Sequence, residues 1–173
     1  MIILIAGCSH TGKTALAQKL MEQYHYPYLS IDILKMGLIR SKTISATVQE
    51  DEKLTNQIWP ILQQMIKTAI ENEQNMIIEG CYIPFQWQSS FEKSYLKHIC
   101  YYCLIMTQQY IHTHMQDIKK YANIIEKRID DSYYTKEMLL KENALNLYLC
   151  KKYHLNYILI DQEYKINIQL SPK

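Results

Sequence analysis

The chain has 173 residues and a mass of 20.6 kDa, enough for one domain with a core of its own. At 48% apolar and 21% charged residues it excludes a disordered or low-complexity chain. The net charge of +2 comes without blocks of like charge, and no apolar stretch approaches the ~18 residues of a membrane span. Neither nucleic acid nor a membrane is therefore expected as a partner.

The opening residues 1–6 form an apolar run that reads as a first strand. No basic segment precedes it and no small-residue cleavage site follows, so a cytoplasmic location is the expectation. Residues 14–24 place Leu16, Ala17, Leu20, Met21 and Tyr24 at helical spacing. A short strand over 26–31 and a short helix over 32–40 follow. Residues 51–73 carry a long helical pattern in which Pro60 marks a kink or the first turn of a second piece. Strand patterns recur at 75–79, 99–106 and 156–161. Alternation of strands and helices predicts an α/β domain, a parallel sheet covered by helices on both faces in three layers.

Between the last two strands, Ile111, Met115, Ile118, Ala122, Ile125 and Ile129 make one apolar stripe, with Lys120 and Lys127 pointing away and Arg128 on its shoulder. This segment is either an ordinary packed helix or a lid that brings cations to a phosphate. His112 and His114 lie about 200° apart on such a helix, which disfavours a shared metal. The five cysteines, an odd number, read as reduced thiols. Cys100 and Cys103 have the spacing of a redox or zinc pair, but strand alternation sends them to opposite faces. Trp59 and Trp87 read as core or interface anchors, and most of the 15 tyrosines as amphipathic packing.

Directly after the first strand stands Gly7-Cys8-Ser9-His10-Thr11-Gly12-Lys13-Thr14, which fits G-x-x-x-x-G-K-[ST] at every fixed position. From this chain's own frequencies such a match arises by chance about once in a thousand, before its strand–loop–helix setting is required. The two glycines let the backbone bend until successive N–H groups face inward. With the N-terminus of the following helix they form a seat for phosphate oxygens. Lys13 sets a point charge against the β- and γ-phosphates, and the Thr14 hydroxyl is placed for Mg²⁺. Cys8 and His10 contribute through their backbone amides. The reading is a nucleoside triphosphate site with ATP and Mg²⁺ as cofactors.

Two carboxylates narrow the chemistry. Asp32 ends the second strand on the same carboxyl edge as the glycine-rich loop, where ligands of open α/β sheets bind. It can take a proton from a hydroxyl attacking the γ-phosphate, and it can also cap the helix that follows. Glu79, before Gly80, ends the third strand where it can hold a Mg²⁺-bound water or the substrate, or simply precede a turn. No strand ends in the adjacent Asp-Glu of hydrolytic motors, and the length leaves little room for motor subdomains. A small-molecule kinase fits better.

Gly7 to Thr14, the Ser30-Ile31-Asp32 ending and the Ile78-Glu79-Gly80-Cys81-Tyr82-Ile83-Pro84 segment resemble the adenylate-kinase-like group of P-loop small-molecule kinases. Within that group the chain is most similar to 2-phosphoglycerate-kinase-like proteins. The resemblance implies the P-loop NTPase fold with a five-stranded parallel sheet, built as a single kinase domain over 1–173. It implies an acceptor pocket beside Asp32, Lys35 and Arg40, with Glu79 and Gly80 at its edge. It also implies a helical lid at about 107–135 whose arginine, Arg128, closes over the transferring phosphoryl group.

Only two arginines, Arg40 and Arg128, occur in the chain. Guanidinium groups grip phosphate in a two-pronged way, so two of them suit an acceptor with one anionic group or none. The expectation is an ATP-dependent transfer of the γ-phosphoryl group to a hydroxyl of a small metabolite, 2-phosphoglycerate-like or another small acceptor, by a monomer or small homo-oligomer. The alternatives are a nucleoside monophosphate (adenylate) kinase, a toxin-type nucleotide-sugar kinase and a non-catalytic nucleotide-binding module. The turn from Asp161 to Tyr164, after the fifth strand, would border the purine ring.

Overall fold

In the computed structural model, residues 1–121 and 134–170 are described. The elements run β1 (Ile2–Gly7), α1 (Lys13–Tyr24), β2 (Tyr28–Ser30), α2 (Ile31–Arg40), α3 (Asp51–Glu71) and β3 (Met76–Glu79). After a 3₁₀ turn at Trp87–Ser90 come α4 (Lys93–Leu96), β4 (Ile99–Met106), α5 (Gln108–Tyr121), α6 (Lys136–Lys152) and β5 (Tyr157–Ile160). The strands form one sheet in the order β2-β3-β1-β4-β5, and every pairing is parallel. The strand set agrees with the sequence reading to within two residues at each end.

All six residues of β1 are buried, as the central strand of a parallel sheet requires. Its alternation divides the core. Ile2 and Leu4 face the layer holding Leu54, Ile58, Leu62 and Ile66 of α3. Ile3 and Ile5 face Leu16, Ala17 and Leu20 of α1, with Ile111 and Ile118 of α5 and Leu139 of α6. Helices thus cover both faces, and each buried aliphatic side chain contributes about 1.5–3 kcal/mol of transfer free energy.

Pro60 neither breaks nor restarts its helix: α3 continues through it. Pro60 and Asn56 both lie on the exposed side, so the carbonyl that loses its helical donor is left to water. The apolar stripe expected from Ile111 onward is realised by Ile111 and Ile118, which are buried in α5. That helix kinks at His114, whose ring stacks on Tyr110 at 4.4 Å. Ala122, Ile125, Lys127, Arg128 and Ile129 lie outside the described residues.

The cysteines are thiols, none of them in a disulfide. Cys103 joins the α3-side core while Cys100 lies half-buried on the opposite side of β4, as alternation requires. Among the described residues no group of three or more His, Cys, Asp or Glu is placed to hold a metal ion. Trp59 and Trp87 both belong to the core, where each packs edge-on against Phe91. Among the described residues no helix is long and apolar enough to cross a membrane.

Candidate active site

The loop between β1 and α1 is shaped by backbone that ordinary residues resist. Gly12 has φ +80°, and a Cβ there would run into the Tyr164 ring. Gly7 has φ +137°, and its Cβ would come within 2.6 Å of the Leu104 carbonyl oxygen. His10 also adopts a left-handed conformation, φ 66°. The loop closes on one acceptor: the Thr11 hydroxyl and the Lys13 ammonium both donate to the Cys8 carbonyl, each at 2.8 Å. No side chain caps α1 and no acidic residue occupies its first turn, so its positive end is left for an anion.

Lys13 is buried, with 6% of its surface exposed. Burial opposes its charge, but Cys81 and the Glu79 and Asp32 carboxylates hold its pKa above the ordinary lysine value. It therefore stays an ammonium at any physiological pH. Cys8 behaves in the opposite way. Burial pushes its thiol up to about 12, so it remains protonated and takes no part as an anion.

Glu79 is carried to the loop by strand register, opposite Ile5 of β1 and Ser30 of β2. It is buried, and the Thr14 hydroxyl donates to its Oε1 at 3.4 Å. A hydroxyl and a carboxylate side by side are the hard oxygen donors that Mg²⁺ takes. That ion characteristically binds through one or two protein oxygens and completes its shell with substrate phosphates and water. The pair expected from the sequence, Thr14 and Glu79, is brought together and fits the ion.

Across the same edge, Asp32 sits in the first turn of α2. Its Oδ1 accepts from Lys35 Nζ at 2.5 Å. The ammonium also donates to the Tyr82 hydroxyl at 3.2 Å and lies 4.9 Å from the centre of that ring. Tyr82 in turn donates to Asp51 Oδ1 at 3.1 Å, from the first turn of α3. Burial, then the Asp51 and Asp32 carboxylates, hold the Tyr82 hydroxyl firmly protonated. Gly80 turns the chain from Glu79 toward Tyr82, and a Cβ on it would lie 2.7 Å from that of Ile31. Arg40 occupies the last turn of α2, exposed and about 12 Å along the helix from Asp32. Arg128, the expected lid cation, lies outside the described residues.

The segment after β5 returns to the loop. Thr107 donates to Asp161 Oδ1 at 2.8 Å, and the Tyr164 hydroxyl donates to the Gly12 carbonyl at 2.9 Å. Burial pushes the Tyr164 phenol up to about 12. Beyond it Ile166 and Ile168 are buried against α1, Lys19 donates to the Ile166 carbonyl, and Tyr24 bonds to both Ile168 and Leu170. On the other side His10 packs on Tyr134, 4.8 Å between ring centres, and Tyr134 donates to Glu142.

No family model and no curated protein matches this sequence. Solved structures do. A provisionally assigned kinase from Chloroflexus aurantiacus superposes with a TM-score of 0.56 at 15% identity, covering 94% of this chain and 88% of the other. Deoxyadenosine kinase from M. mycoides gives 0.52 at 14%, with coverage of 93% and 90%. A sugar kinase from Janibacter sp. gives 0.50 at 14%, with coverage of 92% and 84%.

The fold is that of the P-loop kinases.

Within that P-loop fold, the sequence reading placed Gly7 to Thr14, Asp32, Lys35 and Glu79 at one sheet edge, and there they stand. It missed Asp51, Tyr134 and the 166–170 segment. Asp51 stood out only as the start of a helix. Nothing local distinguishes a carboxylate in the first turn of a helix that caps it from one that reaches across to another strand's loop.

Proposed function

We propose that the protein is an ATP-dependent phosphotransferase that moves the γ-phosphoryl group to a hydroxyl of a small metabolite. The observation that carries this reading is the convergence, at one sheet edge, of a buried ammonium, a hydroxyl–carboxylate pair and a separate carboxylate aimed by a lysine. A binding module needs the first two; it has no use for the third.

In this reading the backbone of Gly7 to Thr14 seats the triphosphate, and Lys13 neutralises charge that builds on the transferring oxygens. Thr14 and Glu79 hold Mg²⁺, which when bound shields the phosphates and orients them. Asp32 accepts the proton of the acceptor hydroxyl as its oxygen bonds to the γ-phosphorus; the bond from phosphorus to the β–γ bridging oxygen breaks, and its electron pair leaves on ADP. Lys35 and Gly80 shape the acceptor side, with Arg40 at its far rim. Arg128 serves as the lid cation over the phosphoryl group. The Asp161 to Tyr164 turn borders the base. The structural neighbours, a deoxyadenosine kinase and a sugar kinase, support a small hydroxylated acceptor.

Asp32→Asn tests the assignment. General-base removal should lower kcat by about 10²–10⁴-fold while calorimetry finds the affinity for MgATP unchanged. Equal turnover in the variant would refute the role of Asp32 and favour a nucleotide-binding module.

A further inference from the structure

The Asp32–Lys35–Tyr82–Asp51 chain has a charge consequence that bears on the acceptor. Lys35 is largely buried, its side chain 13% exposed, and two of its three N–H donors go to Asp32 and Tyr82. The Tyr82 hydroxyl donates its one hydrogen bond to Asp51, so it offers nothing further as a donor. Within these four residues two carboxylates share one ammonium, a net negative charge; Lys13, whose charge also faces Asp32, donates to the Cys8 carbonyl at the phosphate seat. Lys53, the next lysine near Asp51, is engaged by Glu50 and the Ser45 carbonyl. Among the described residues no arginine touches the chain of contacts, and Arg40 stands about 12 Å along α2.

Ionised carboxylates accept hydrogen bonds and donate none. Asp32 and Asp51 each keep lone pairs beyond the single contact described for them. What complements two such groups is a ligand rich in hydroxyl donors. A ligand carrying its own phosphate or carboxylate meets like charge there, and among the described residues the cations beside it, Lys35 and Lys13, are already engaged, which costs binding.

We infer that the acceptor is an uncharged polyhydroxylated compound, one of whose hydroxyls is phosphorylated at Asp32 while another donates to Asp51. The inference rests on the phosphotransfer reading above and narrows it, excluding phosphoglycerates and nucleoside monophosphates as preferred acceptors. Asp51 and Tyr82 become specificity determinants, acting on which hydroxyl compound is held rather than on the phosphoryl group.

The test uses acceptors paired by skeleton and differing in charge: glycerol and 2-phosphoglycerate, ribose and ribose 5-phosphate, glucose and gluconate, adenosine and AMP. Transfer from γ-labelled ATP with Mg²⁺ is measured on the whole protein. The uncharged member of every pair should show a kcat/KM higher by about tenfold or more. Asp51→Asn should shrink that ratio by about threefold or more by removing a repelling charge, with Asp51→Ser as the second variant should the first not fold. Preference for the anionic members, or a ratio that neither variant moves, would overturn the inference and leave phosphotransfer standing. Label transferred to none of the eight, in protein that binds MgATP by calorimetry, would overturn the phosphotransfer reading itself and the inference with it.

Discussion

The phosphate loop and the acceptor group lie on the same edge of the sheet but are assembled over very different distances in sequence. The contacts that close the loop on itself, Thr11 and Lys13 to the Cys8 carbonyl, span three and five residues. The acceptor group joins Lys35 to Tyr82 and Tyr82 to Asp51, across 47 and 31 residues. The first is chiefly a property of backbone bending at two glycines, to which distant residues add Glu79 at Thr14 and Tyr164 at the Gly12 carbonyl. The second exists only because α2, α3 and the segment after β3 deliver three side chains to one place. The donor half is therefore fixed by local chemistry and the acceptor half by packing, which leaves the acceptor half open to variation in what it binds.

Lys13→Ala cuts deepest into the donor half. Removing one preorganised contact to the transferring phosphate should lower transfer by about a hundredfold or more, measured as kcat with saturating MgATP. Retained turnover would show that the loop does not hold the triphosphate as described. Gly12→Ala asks whether the loop's backbone is as constrained as its geometry implies. A left-handed φ and the overlap with Tyr164 should together lower stability by about 1–3 kcal/mol in urea unfolding, and pairing the change with Tyr164→Ala should relieve part of that loss. An unaltered midpoint would mean that the loop tolerates other backbone shapes. Tyr164→Phe is the mildest of the set. It removes one hydrogen bond to the Gly12 carbonyl and should cost about 0.5–1.5 kcal/mol, read as a small shift of the same midpoint.

The contrast also explains what could be read from the chain directly. The strand order of chemistry, from the run ending at Gly7 to the carboxylates Asp32 and Glu79, was visible because each element announces itself within a dozen residues. A parallel sheet then brings all those strand ends to one edge. Pro60 misled because a proline on the wet side of a helix looks the same in sequence as one that breaks it. The α6 helix went unread because Leu139 and Cys150 are buried while Leu145 and Tyr148 stay exposed, leaving no clean apolar stripe. Tyr82 was part of a recognisable segment, yet its partnership with Lys35 and Asp51 has no sequence signature. Side-chain meetings between distant elements are decided by three-dimensional packing alone.

The return of residues 164–170 onto α1 has a bearing on biosynthesis. The first strand–helix unit is synthesised well before Ile166 and Ile168, which pack on the flank of its helix in one cluster with Leu16, Ala17 and Leu20. Until then Leu16, Leu20 and their neighbours lack part of their cover, an opening for misassembly during translation. Shortening the chain before Ile166 would leave that flank bare in the finished molecule as well.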